Sequence, residues 1–192
     1  MTALRTRERY FTTHELVVLA LLAALVALSK AFLRLPLHLP GHTGITWMAI
    51  LLVSRALVRR PGAGTLVGLI SGLLAVMIVG GREGLLLWVK YLTPGMIVDL
   101  GALLSGERLD NLFVAVIVGA TANAAKLLTS LIISLMLGIP TGYIVLGLGL
   151  AATTHVVFGG LGGWLGSLVV KTLRRLRVPA IEALATPEAS QR

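Results

Sequence analysis

Lys90, Asp99, Asn123, Lys126 and His155 stand within otherwise apolar stretches of this sequence. A charged or strongly polar group inside a membrane-length apolar run is costly to bury and points to function, unless it serves only to join helices. Lys90, Asn123, Lys126 and His155, with Trp88, Tyr91 and Tyr143 as stacking or hydrogen-bonding walls, would form a mildly cationic pocket. Such a pocket suits a small polar or anionic organic molecule. In the plainer alternative Lys90 snorkels to the headgroups, and the other groups are satisfied inside the bundle. Asp99 is expected to be structural, paired with a basic residue near the cytoplasmic face.

Other chemistries find little support. The chain has no cysteine, which removes disulfides, thiolate metal sites and cysteine nucleophiles. His38 and His42 are spaced for one helical face, but Pro40 and Gly41 lie between them and break it. Two histidines without carboxylates or thiols nearby are a poor ligand set, so no metal is expected. There is no Gly-rich loop ending in Gly-Lys-Ser/Thr, no Gly-x-Ser-x-Gly elbow, and His14-Glu15 lacks the second histidine of a zinc protease. No cofactor and no enzymatic activity are expected. An intramembrane enzyme built on His155 stays open as one alternative, and a structural or assembly subunit of a membrane complex as another.

The elements that hold these residues are read from hydropathy. The chain is 56% hydrophobic and only 13% charged, with a mean hydropathy of +0.92, more apolar surface than a soluble core of this size can hide. Six apolar stretches fall at about residues 15–33, 45–58, 62–80, 85–104, 112–137 and 143–170. Each approaches the roughly 20 residues needed to cross a bilayer, with the second and fourth marginal. The fold is therefore expected to be an all-α, polytopic transmembrane bundle of about six helices. Residues 1–14 form a basic N-terminus, 15–170 the membrane domain, and 171–192 a basic, then polar tail.

Lys and Arg outnumber Asp and Glu by 17 to 8, but they flank apolar stretches, so no nucleic acid is implied. With the N-terminus inside, Arg5, Arg7, Arg9, Arg55, Arg59, Arg60, Arg108, Lys171, Arg174, Arg175 and Arg177 are cytoplasmic, against Lys30, Arg34 and Arg82 outside. Both termini are then cytoplasmic. This orientation puts Lys90 in the outer half, Asn123 and His155 near mid-depth, Lys126 somewhat further out, and Asp99 near the cytoplasm. Arg55 is expected to snorkel. The loop from Arg34 to Gly44, with His38 and His42, reads as a cover over the pocket, and Trp47 as its anchor at the membrane surface.

Small residues recur every fourth position: Gly64, Gly68 and Gly72; Gly159 and Gly163; Gly162 and Gly166. Helices approach closely at such stripes, and packing within the bundle is the expectation. The alanine face Ala20, Ala23, Ala24, Ala27 and Ala31 serves either packing or contact with another subunit.

Six short spans in under 200 residues, that alanine face, the long first external loop and the passage Ser54-Arg-Ala-Leu-Val-Arg-Arg-Pro-Gly-Ala-Gly64 resemble the substrate-binding S components of energy-coupling factor transporters. The likeness spans about residues 12–177. It implies a multi-pass protein of the prokaryotic cytoplasmic membrane that captures a vitamin, cofactor precursor or metal ion from outside. Its partners would be a transmembrane T component and two cytoplasmic ATPases. By the resemblance, Ala20, Ala23, Ala24 and Ala27 look like the docking face, and Trp88, Lys90, Tyr91, Asn123, Lys126, Tyr143 and His155 like the pocket. The cobalt and nickel branch of that family begins Met-His, whereas this sequence begins Met-Thr-Ala-Leu, which favours an organic cargo.

Overall fold

The computed structural model describes residues 10–32, 40–79 and 84–176. They form α1 (Thr13–Phe32), α2 (Gly44–Leu57), α3 (Ala63–Val79), a 3-10 turn (Gly84–Trp88), α4 (Val89–Leu104), α5 (Leu112–Met136) and α6 (Thr141–Arg175).

Local signals set the helix ends. Thr12 and Glu15 form a reciprocal capping box: the Thr12 N–H donates to the Glu15 carboxylate at 2.7 Å and the Glu15 N–H to Thr12 Oγ1 at 3.2 Å. Asn111 Oδ1 accepts from the Phe113 and Val114 N–H groups at the start of α5. After α4, the Gly106 N–H donates to Leu103 O and the Glu107 N–H to Ala102 O, a Schellman closure with Gly106 at φ +64°.

The glycine stripes bring backbones together. A Cβ on Gly68 would meet the Tyr91 carbonyl at 2.5 Å, and one on Gly72 the Trp88 carbonyl at 2.8 Å, so α3 lies flush and antiparallel on α4. Gly159 and Gly163 face α5 at Gly119 and Ala115. Gly162 and Gly166 face α2, at Gly44 and Met48 and at Ala49 and Leu52 respectively. One helix thus uses two glycine pairs against two neighbours. The α5–α6 pair is the most extensive contact of the bundle, followed by α2–α6 and α3–α4; α1 packs mainly on α3 and α2.

A Gly163→Leu substitution is expected to drive a side chain into Ala115 and Val116 main chain. Overpacking of this kind should cost at least about 2 kcal/mol, read as a fall in Tm of roughly 4–8 °C in detergent. Gly142→Leu, at a glycine with nothing within 4 Å, is the control and should leave Tm unchanged.

Segments 86–104, 112–136 and 147–175 are long and apolar enough to cross a membrane, and the apolar segments 13–29, 44–57 and 63–78 are shorter. The chain is a multi-pass membrane protein. The 14 residues of α2 rise about 21 Å, short of a hydrocarbon core of about 30 Å. Ten of them are buried, so its ends need protein rather than lipid around them.

Two expectations are corrected. Arg55 does not snorkel: it is 0% exposed and ion-paired inside the bundle, so its charge does not help orient the chain at the surface. Ala23 and Ala27 are buried in the core. A docking face on α1 therefore narrows to the exposed Ala20 and half-buried Ala24, because the inward alanines are already used by α2 and α3.

Candidate functional site

The N-terminus of α2 is inserted among α4, α5 and α6. The turn before it reaches α6: Gly41, at φ +82°, lies so close to His155 that a Cβ there would meet the imidazole Nδ1 at 2.8 Å. Only glycine combines that left-handed φ with that approach. Three residues on, Gly44 lies against the side-chain amide of Asn123. The irregular backbone thus rests on protein at the level of His155, where a non-helical segment is tolerated within a membrane.

On the next turn of α2, Trp47 is buried, its ring centroid 5.7 Å from that of Tyr91 on α4, the planes tilted by 54°. Lys126 Nζ sits 4.4 Å above the Trp47 ring, within range of a cation–π attraction. Asn123, fully buried, donates from Nδ2 to the His155 carbonyl at 2.8 Å. His155 Nδ1 lies 2.7 Å from the Ala151 carbonyl of its own helix. Nearby, Thr129 Oγ1 lies 3.2 Å from Thr93 Oγ1 and ties α5 to α4.

In this group the Trp47 indole Nε1, a donor, and Asn123 Oδ1, an acceptor, have no hydrogen-bond partner among the described residues. Each such buried group costs about 1–3 kcal/mol, and native interiors seldom leave them so. They are a donor on α2 and an acceptor on α5.

Of the residues singled out in the sequence, Tyr91, Asn123, Lys126 and His155 belong to this neighbourhood. Lys90 is buried at the start of α4. Trp88 is half-buried, and its described packing is against Gly72 of α3. His42 is half-buried in the turn before α2. His38 and the side chain of Tyr143 lie outside the described residues. Trp47 is not a surface anchor but the centre of the wall, and α2 joins α4, α5 and α6 in building the site. Gly41 and Gly44 were not evident as site residues; the signal available was their place at the entry to an apolar helix.

At the opposite end of α2 and α4, Arg55 Nε pairs with Asp99 Oδ1 at 3.0 Å, and its terminal nitrogens hold Glu107, one at 2.8 Å from Oε2 and the other on Oε1. Asp99 also accepts from the Gly64 N–H at 3.0 Å, the Thr65 N–H at 2.7 Å and the Thr65 hydroxyl at 2.6 Å. It therefore caps α3 from α4, where the helix dipole favours an anion.

A family model described as "ABC-type cobalt transport system, permease component" matches residues 14–125, more than half of the chain. The match runs from α1 into α5 and includes Trp47, Arg55, Tyr91, Asp99 and Asn123. No curated protein and no solved structure matches the chain.

Proposed function

The chain belongs to the family of ABC-type cobalt transport system permease components, and on that premise we propose that it is the substrate-binding membrane subunit of such an importer. It captures a small organic molecule, of the vitamin or cofactor-precursor class, and passes it inward with a transmembrane partner and two cytoplasmic ATPases. The observation that carries this reading is the pair of buried atoms without a hydrogen-bond partner among the described residues, Trp47 Nε1 and Asn123 Oδ1, near the Trp47–Tyr91 wall. A purely structural core would gain by filling these positions with apolar groups.

An organic cargo fits these side chains better than a cobalt ion does. A transition metal is held by converging imidazole, carboxylate or thiolate ligands. Among the described residues no three His, Cys, Asp or Glu side chains gather. The Lys126 ammonium over Trp47 repels a cation and suits an electron-rich or anionic ligand. With His155 Nδ1 turned to its own helix, the reading is capture without turnover.

The test is a thermal-shift series on the purified chain with a panel of vitamins, their ring precursors and Co²⁺. A ligand at about 100 times its Kd stabilises by about 2.7 kcal/mol, a rise in Tm of roughly 5–11 °C. One organic compound is expected to give this shift, and Asn123→Ala to remove it. A shift from Co²⁺ alone that persists in Asn123→Ala would sink the proposal.

A further inference from the structure

The contacts between α2 and α4 include two rungs. Trp47 meets Tyr91, and eight residues further along both helices Arg55 meets Asp99. Equal offsets on parallel helices put the rungs about 12 Å apart. Met48, Leu51, Leu52 and Val98, each at most 1% exposed, fill the interior nearby. Such close-packed side chains transmit displacement rather than absorb it.

The lower rung carries one guanidinium and two carboxylates, and these are unequal. Asp99 is buried and keeps three donors from Gly64 and Thr65 whatever Arg55 does. The Glu107 side chain is 33% exposed, so water or an outside cation can reach it. Its backbone sits at φ +63°, directly after Gly106 at +64°, a left-handed conformation disfavoured for any residue with a Cβ. Strain of this kind persists where surrounding contacts hold it; here the Glu107 N–H bond to Ala102 O holds the backbone and the bidentate grip on Arg55 holds the side chain. Glu107 is thus the acid that can leave. Arg55 would still be paired with Asp99.

We propose that Glu107 is a releasable latch on the aromatic wall. This inference rests on the reading of Trp47–Tyr91 as the cargo wall. While Glu107 holds Arg55, α2 and α4 stay in register and the wall is closed. A basic side chain of a partner subunit that draws Glu107 away loosens the lower rung and lets Trp47 separate from Tyr91. Glu107 lies at the end of the bundle that the positive charges assign to the cytoplasm, where a partner that triggers release would act.

The test uses the full chain carrying Trp88→Phe and Trp164→Phe, so that Trp47 is the reporting tryptophan, with acrylamide as the quencher. In that background Glu107→Gln is expected to raise the Trp47 quenching constant about three-fold or more, within the range by which coupled positions shift such equilibria. Glu107→Asp, which keeps the charge on a shorter arm, should give a smaller rise and decides the matter if Glu107→Gln does not fold. Arg174→Gln, which breaks the Arg174–Asp110 pair (2.9 Å) at the same end of the bundle, should leave quenching unchanged. The latch is wrong if the Glu107 variants quench like the parent, or if Arg174→Gln opens Trp47 equally. Because quenching is read without cargo, its failure leaves the capture reading standing, and an absence of cargo leaves the latch standing.

Discussion

Trp47→Ala is expected to abolish retention of cargo while the chain still folds. The substitution removes the ring that stacks on Tyr91, the surface beneath the Lys126 ammonium, and the buried indole donor. Losing a central aromatic anchor of a binding site typically costs about 2–4 kcal/mol, which is roughly 30- to 1000-fold in Kd. Trp47→Phe separates the two contributions, since it keeps a wall and deletes the donor. One neutral hydrogen bond is worth about 1 kcal/mol, so affinity should fall about five-fold. The ligand-free chain should lose little stability, because the deleted N–H has no partner among the described residues to lose. Equal affinity in Trp47→Phe and the parent, measured by titration calorimetry with the identified ligand, would show that Nε1 does not meet the cargo.

Arg55→Ala should be the most damaging single change to stability. It removes the cation beside the buried Asp99, 6% exposed, and both guanidinium bonds to the Glu107 carboxylate. Removing one partner of a buried ion pair costs about 3–5 kcal/mol, so Tm should fall by roughly 6–20 °C. Arg55→Lys should not restore it, since a single ammonium cannot reach Asp99 and both Glu107 oxygens in the planar fork that guanidinium provides. The contrast is Arg174→Ala, whose pair with Asp110 is 35% and 38% exposed on the two sides. An exposed pair of that kind is worth about 0–1 kcal/mol. Thermal unfolding of the three variants in one detergent checks the ranking, and Arg55→Ala within 2 °C of the parent would contradict it.

Much of the architecture is legible in the sequence, because lipid imposes strong rules on it. Gly64, Gly68 and Gly72 announced a close helix contact by spacing alone, and α3 meets α4 along that line. Helix ends fell within a few residues of the apolar boundaries, since Pro140, Gly138 and Asn111 punctuate them. What a single sequence concealed was the partner of each side chain. Arg55 at the end of an apolar run looks like an interfacial cation, and only folding brings Glu107, 52 residues away, onto it. Trp47 at the start of a run looks like an interfacial aromatic, and only the insertion of α2 beside α4, α5 and α6 turns it into a wall. Ala23 and Ala24 adjoin in the sequence yet differ in burial, because α1 touches the bundle along one stripe.

The most direct test of the central claim is mass spectrometry of small molecules released from the purified chain after incubation with cell extract and vitamin mixtures. One organic compound is expected at near-stoichiometric amount from the parent, sharply reduced from Lys126→Ala and absent from Trp47→Ala. No organic compound from any of the three, with cobalt retained by all, would contradict it.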